Sequence, residues 1–181
     1  MSDLFNNWIY EKSADNSARF VLGERGGNPL VCIGVNPSTA EPNKLDSTLR
    51  RVKAFSQNLG YDGWIMLNLY PQRATNPKNL HNECDHFLRR ENEKWLYRYL
   101  GSAYIHQRTI WAAWGALIEK RGYLTGCLRG IIETGSIIQH KWITIGKRTQ
   151  AGHPRHPLYL PADAEVQQFD VSEYLRIREE I

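Results

Sequence analysis

The sequence predicts a single α/β domain, a three-layer α/β/α sandwich with a central, mainly parallel sheet of four strands. Short apolar runs rich in β-branched and aromatic residues are typical of buried strands, and four of them lie at 30–35, 63–69, 109–115 and 141–146. Helical patterns separate these runs, and strands that alternate with helices are joined by right-handed crossovers into a parallel sheet. Because the chain has 181 residues and no Pro/Gly/Ser-rich linker, we expect residues 1–181 to form one domain.

The N-terminal elements follow from local patterns. Residues 5–25 alternate less regularly between apolar and polar side chains, and they could form an antiparallel hairpin at the edge of the sheet. After the first strand, Asp46 or Ser47 is the expected N-cap of a helix, and Gly60 follows its end. Apolar residues recur along this helix at helical spacing, at Leu45, Leu49, Val52, Phe55 and Leu59.

The remaining helices complete the alternation. The second helix stops at Gly101, a third spans roughly 116–127, and residues 170–181 predict a closing helix capped by Asp170 or Ser172. One face of the second helix is marked by Leu80, Cys84, Phe87, Leu88, Glu91, Trp95 and Leu96.

Composition excludes several classes of protein. Hydrophobic residues make up 41% and charged residues 23% of the chain, as in an ordinary folded protein. The longest nearly apolar run, 110–118, is far shorter than the roughly 18–20 residues that span a bilayer, so no membrane partner is expected. The net charge of +4 permits a nucleic-acid partner but does not establish one.

The predicted location is cytoplasmic. No basic segment followed by an apolar one begins the chain, so no secretory signal is expected. The cysteines are odd in number and widely spaced, at Cys32, Cys84 and Cys127, which is typical of reduced thiols. We expect a monomer.

Three polar clusters follow the predicted strands, at 36–48, 68–80 and 147–161. In a parallel sheet these positions meet at the carboxyl edge, where ligands bind. Asn36 and Asn68 end two of the apolar strands, and an amide is costly to bury there unless its donors and acceptors are paired. Each could simply cap a turn, or the two could form part of one site.

Four motifs in order resemble those of the uracil-DNA glycosylase superfamily. GVNPS (34–38) is similar to the Gly-x-Asn-Pro-Gly motif of its mismatch-specific branch, and IMLNLYPQRAT (65–75) resembles its strand ending in Leu-Asn. WAAWGALIEKRG (111–122) resembles its Trp-Gly step, and HPRHPLYLP (153–161) its final His-Pro motif. More closely, residues 30–51 and 152–161 resemble the family called domain of unknown function 1643, whose name carries no activity.

The glycosylase resemblance implies hydrolysis of an N-glycosidic bond in DNA by a monofunctional enzyme that needs no cofactor or metal. It implies that Asn36 places the attacking water and that His156, or alternatively His153, stabilises the departing base. Asn68 would recognise the base beside Pro37, Ser38 and Asp46. Asp46 could instead only cap the helix.

The substrate implied is a flipped pyrimidine. The superfamily's uracil-specific branch has a tyrosine at the position of Ser38, which blocks substituents on C5. Ser38 leaves room for such a substituent, so the substrate implied is a 5-substituted pyrimidine, such as a hypermodified phage cytosine, or uracil, with a role in DNA repair or in defence against phage.

Base flipping from a duplex needs a wedge, and phosphate binding needs cations. The resemblance implies that Leu158, Tyr159 and Leu160 form the wedge. The cations expected to contact DNA are Arg50, Arg51, Arg73, Lys147, Arg148 and Arg155.

The residue types suit this chemistry. As the bond breaks, negative charge develops on the base, and a histidine that donates a hydrogen bond stabilises it. Asparagine does not titrate in the useful range, so Asn36 could orient water but not deprotonate it.

Two other functions stay open. A hydrolase of free nucleosides or nucleotides could use the same pocket without a wedge, and a non-catalytic module could bind modified nucleic acid. The run HNECDH (81–86) resembles metal-ligand spacing only superficially, and no phosphate-binding Gly-Lys-Ser/Thr loop is present in the sequence.

Overall fold

A seven-stranded sheet forms the centre of residues 7–180, the part of the chain that the computed structural model describes. The strands are β1 (Trp8–Lys12), β2 (Arg19–Glu24), β3 (Pro29–Gly34), β4 (Gly63–Asn68), β5 (Thr109–Ala112), β6 (Lys141–Ile145) and β7 (Val166–Gln168). They lie in the order β1-β2-β4-β3-β5-β6-β7, and the four inner strands β4, β3, β5 and β6 are parallel.

The α/β class predicted from the sequence is confirmed. The inner strands coincide closely with the four predicted apolar runs, because each is buried on both faces. The sheet is wider than the four predicted central strands. The antiparallel hairpin expected at the N-terminal edge is present as β1 and β2 and pairs with β4, whereas β7, which was not predicted, pairs with β6 in antiparallel orientation. The strand β7 has only three residues, all exposed or half-buried, so it leaves no apolar run in the sequence.

Four α-helices cover the sheet within the described residues: α1 (Ser47–Asn58), α2 (His86–Leu96), α3 (Tyr123–Gly135) and α4 (Val171–Glu179). A π-helical turn, Tyr97–Gly101, continues α2, and short 3-10 helices lie at Pro77–Asn79, Gly115–Lys120 and Pro157–Tyr159.

Helices pack on both faces of the sheet. Cys32 of β3 lies in one apolar cluster with Leu49 of α1, whereas its neighbour Ile33 lies in a second cluster with Leu128 of α3 and Leu175 of α4. This division follows from the alternation of side chains along a strand.

The helix boundaries depend on caps. The Asp46 carboxylate accepts the Leu49 N–H at 2.8 Å and begins α1, and Gly60 follows the helix with a φ of +82°. The third helix departs from the prediction. Residues Gly115–Lys120 form a 3-10 helix, Arg121 is extended, and α3 begins only at Tyr123.

The sheet topology places one further strand end beside the carboxyl edge. Because β2 is antiparallel to β4, the first residue of β2, Arg19, lies near the end of β4, where its N–H donates to the Pro71 carbonyl at 3.0 Å. Among residues 7–180, no helix is both long enough and apolar enough to cross a membrane.

Candidate active site

A cavity of about 540 Å³ opens at the carboxyl edge of the parallel strands. The segment after β3, the first turn of α1, the loop after β4 and the loops after β5 and β6 all contribute to its wall. The polar side chains in the wall include Arg19, Asn36, Ser38, Asp46, Arg155 and His156. The cavity therefore brings together residues from all three polar clusters of the sequence.

Asn36 has a fixed orientation in this wall. Its Nδ2 donates to the Ala74 carbonyl at 2.8 Å and to the Pro37 carbonyl at 3.0 Å. Exchanging the amide oxygen and nitrogen would set Oδ1 against these carbonyl oxygens, which is unfavourable. Among the described residues no group donates to Oδ1, so this oxygen is free to accept a hydrogen bond from a ligand or a water molecule.

His156 lies at the start of the 3-10 helix Pro157–Tyr159, and its Nδ1 accepts the Leu158 N–H at 3.3 Å. Because Nδ1 accepts this bond, the proton of the neutral imidazole lies on Nε2. Burial lowers the pKa of His156 below its ordinary value, against a smaller opposing effect of the Asp46 charge. The ring is therefore a neutral donor through Nε2.

Ser38 and Asp46 are joined in the cavity wall. The Ser38 hydroxyl donates to Oδ2 of Asp46, while Oδ1 of the same carboxylate caps α1 through Leu49. Pro37 is buried and does not line the cavity, and its carbonyl braces the loop after β4 by accepting the Ala74 N–H at 2.9 Å. The two alternatives for Asp46 thus coexist, since it caps the helix and also lines the cavity.

Asn68 lies directly behind the cavity wall. It is fully buried and pairs with Gly34, which does line the cavity; a Cβ built on Gly34 would lie 3.2 Å from Oδ1 of Asn68. Neither amide atom of this side chain has a hydrogen-bond partner among residues 7–180. A buried amide without partners is unusual and lowers the stability of the fold. Only Gly34 separates this amide from the cavity.

Two predicted residues lie elsewhere. His153 is fully buried and does not line the cavity: its ring nitrogens bond to the Tyr174 hydroxyl at 2.8 Å and to the Glu119 carboxylate at 2.9 Å. The side chain is thus occupied inside the fold, and the alternative that His153 contacts substrate stays a prediction without support from this geometry. Leu160 is 4% exposed and packs in the core, so it is not available as part of a wedge. Leu158 and Tyr159 are 42% and 74% exposed and line the cavity.

Most of the cations expected to contact DNA are bound to the protein itself. Four guanidinium groups donate to backbone carbonyls at 2.6–2.8 Å. The pairs are Arg50 with Leu45, Arg51 with Pro157, Arg73 with Ser38, and Arg155 with Lys147. Lys147 and Arg148 are exposed in the loop after β6 and do not line the cavity. Four of the six cations are therefore engaged by hydrogen bonds within the protein.

Arg19 is a cavity residue that no pattern in the sequence predicted. It lies in the wall although it is only 2% exposed, and it comes from the hairpin, whose pairing with β4 the sequence did not reveal. Across the described part of the chain, no three His, Cys, Asp or Glu side chains are placed to hold a metal ion.

Comparison with known proteins identifies the family. A family model described as "Protein of unknown function (DUF1643)" matches residues 19–158, a span that contains every residue of the cavity wall except Tyr159. No curated protein and no solved structure gives a significant match, and the glycosylase resemblance stays a prediction. Since the family model covers most of the sequence, the chain belongs to the DUF1643 family.

Proposed function

We propose that the protein is a DNA glycosylase-like hydrolase that cleaves the N-glycosidic bond of a flipped, 5-substituted pyrimidine nucleotide. One observation carries this proposal: Asn36 and His156 line the same cavity, and backbone contacts orient each of them. One offers a free acceptor and the other a neutral donor, which are the two groups that this hydrolysis needs.

In the proposed step, the bond between C1′ of the sugar and the ring nitrogen breaks, and its electron pair leaves with the base. The Nε2–H of His156 donates a hydrogen bond to a carbonyl oxygen of the base and stabilises the negative charge there. A water molecule held by Oδ1 of Asn36 adds its oxygen to C1′. Its surplus proton passes to solvent, which protonates the released base.

The size of the cavity supports a substrate larger than an unsubstituted base. Its volume of about 540 Å³ lies within the range of roughly 300–1,000 Å³ typical of pockets that enclose whole small molecules. Ser38 is a small residue in the wall and leaves room for a substituent on C5. Both features favour a hypermodified cytosine of the kind found in phage DNA over plain uracil, with a role in defence or repair.

Leu158 and Tyr159 support action on a polymer. They are exposed at the cavity, and the same segment after β6 carries the exposed cations Lys147 and Arg148. Apolar side chains in such a position can fill the gap that a flipped base leaves in the stack.

A second candidate is a hydrolase of free nucleotides. It is favoured by the burial of Leu160, which leaves one side chain fewer for a wedge, and by the four arginines whose guanidinium groups already donate to backbone carbonyls. The same cavity chemistry would serve a nucleotide in solution.

Mass spectrometry of the released base tests both candidates. Purified protein is incubated, in excess, with DNAs that contain cytosine, uracil or glucosylated hydroxymethylcytosine, and with the matching free nucleotides. Release from DNA that is lost in the double variant Leu158→Ala/Tyr159→Ala supports the glycosylase. Release only from free nucleotides, unaffected by that variant, supports the second candidate, and salt-dependent DNA binding without any release overturns both.

A further inference from the structure

Arg19 is a buried cation in the wall of the cavity. Its side chain is 98% buried, and its Nη1 donates to the Ala40 carbonyl at 3.1 Å. Its Nε has no partner, and among residues 7–180 no carboxylate lies within ion-pair distance of its guanidinium. A buried charge without a counter-charge is unfavourable, and such groups are normally paired.

The surroundings of Arg19 add positive charge. Arg73 is close enough to lower its pKa further, although burial is the larger cause, and the pKa of about 10 leaves Arg19 protonated at neutral pH. The one carboxylate that opposes these effects is Asp46, whose two oxygens already accept bonds from the Ser38 hydroxyl and the Leu49 N–H. Within the described residues, two guanidinium groups thus lie near one carboxylate around Arg19, which leaves net positive charge, and no ion pair is formed with Arg19.

A structural role in holding the loop around Ala40 does not explain why Arg19 is buried without a counter-charge. The Ala40 carbonyl also accepts from Nη1 of Arg73 at 3.3 Å, so it keeps a donor without Arg19. Arg73 in addition donates to the Ser38 carbonyl and to the Tyr10 hydroxyl, and it is the arginine that braces this loop.

We propose that Arg19 binds an oxyanion carried by the substrate, a phosphate or carboxylate group that enters the cavity. Guanidinium groups bind such anions through paired N–H donors. The inference rests on the proposed function for the nucleoside part of the substrate. The anion itself has two sources, the 5′-phosphate of the nucleotide or an acidic substituent on the base.

Isothermal titration with two matched pairs of compounds tests this assignment without requiring turnover. Deoxyuridine 5′-monophosphate is compared with deoxyuridine, and 5-carboxyuracil with thymine, so that each pair differs chiefly in one anionic group. The proteins are the wild type, Arg19→Met, Arg19→Lys and the control Arg90→Met, which removes an exposed arginine of α2 outside the cavity.

We expect the wild type to bind the anionic member of one pair at least about tenfold more tightly than its neutral partner, since a charge-assisted bond is involved. That pair identifies the source of the anion. Arg19→Met should abolish the preference, Arg19→Lys should keep part of it, and Arg90→Met should leave it unchanged. Because an unpaired buried charge is removed, the melting temperature of Arg19→Met should equal or exceed that of the wild type.

The proposal is overturned if the wild type binds both members of each pair with equal affinity, or if it binds neither anionic compound. It is also overturned if Arg19→Met keeps the wild-type preference. A lower melting temperature of Arg19→Met together with weaker binding of the neutral compounds also overturns it, because the role would then be structural. The result of this binding experiment does not depend on whether the proposed hydrolysis occurs. An anion preference that depends on Arg19 stands even if no base is released from any substrate, and base release can occur in a protein that fails this test.

Discussion

The backbone N–H of Leu158 donates to Nδ1 of His156 over 3.3 Å, so the imidazole carries its proton on Nε2. If this donor stabilises the departing base, His156→Ala should lower the single-turnover rate of base release by about 10²–10³-fold. His156→Gln, which keeps an N–H donor, should retain part of the rate. The exposed His106 provides the control, and His106→Ala should match the wild type. A rate in His156→Ala equal to that of the wild type would remove His156 from the mechanism.

Asn36 should be required as an amide rather than as an acid. Asn36→Asp sets a carboxylate oxygen against the Ala74 carbonyl that now accepts Nδ2 at 2.8 Å, so we expect this variant to lose base release and about 1–3 kcal/mol of unfolding free energy. Asn36→Ala should lose release with a smaller effect on folding. Urea denaturation and single-turnover assays measure the two effects.

The control for Asn36 is Asn76→Ala, which removes an exposed asparagine that caps the short 3-10 helix after β4 and does not line the cavity. Its rate of release should stay at the wild-type level. If Asn36→Asp were more active than the wild type, the residue at this position would act as a base, and the water-placing role would be incorrect.

The Asn68 side chain, proposed to recognise the base, should lower the stability of the protein. Its amide is buried without a partner among the described residues, so Asn68→Leu should raise the unfolding free energy by roughly 1–2 kcal/mol. The matched contrast is Asn92→Leu. The Nδ2 of Asn92 donates to the Asn68 carbonyl at 3.0 Å, so this variant leaves a buried acceptor unpaired and should be destabilised. Urea titration of both variants checks the opposite signs, and destabilisation by Asn68→Leu would show that the amide supports the fold.

The small side chain of Ser38 should determine which substituents the cavity accepts. Ser38→Tyr places a ring in the wall and should lower release of 5-substituted pyrimidines more than release of uracil. The neighbouring Thr39 is exposed and does not line the cavity, so Thr39→Tyr should leave the ratio of the two rates unchanged. An identical ratio in Ser38→Tyr and the wild type would place the substituent elsewhere.

Buried histidines should make the protein less stable in acid. Burial is the largest cause that lowers the pKa values of His140, His153 and His156 below the ordinary value. The unfolded chain therefore binds protons more readily than the native protein below about pH 6.5, and the unfolding free energy should fall as the pH falls through the native pKa values.

Urea denaturation at pH 7.5 and at pH 5 measures this loss. It should be smaller in His140→Gln, which has no titrating group at this position, than in the exposed control His106→Ala. Equal unfolding free energies at the two pH values in the wild type would contradict the prediction.

Local patterns in the sequence determined the α/β class, the four inner strands and the caps of α1 and α4. A strand buried on both faces must be apolar along its whole length, and a cap such as Asp46 acts on a residue three positions away. Local patterns also predicted that Asn36 and Asn68 lie at strand ends. Side chains in these positions meet at the carboxyl edge of a parallel sheet.

Only the tertiary structure decided which of the candidate residues share the cavity. The sequence favoured His156 but left His153 as an alternative. In the structure, His153 is buried in contact with the Tyr174 hydroxyl and Glu119, and His156 lies in the cavity wall. Arg19 reaches that wall because β2 pairs with β4 in antiparallel orientation, a contact between residues 40–44 positions apart in the sequence. Burial and charge balance at such positions depend on long-range packing, and no local pattern in the chain encodes them.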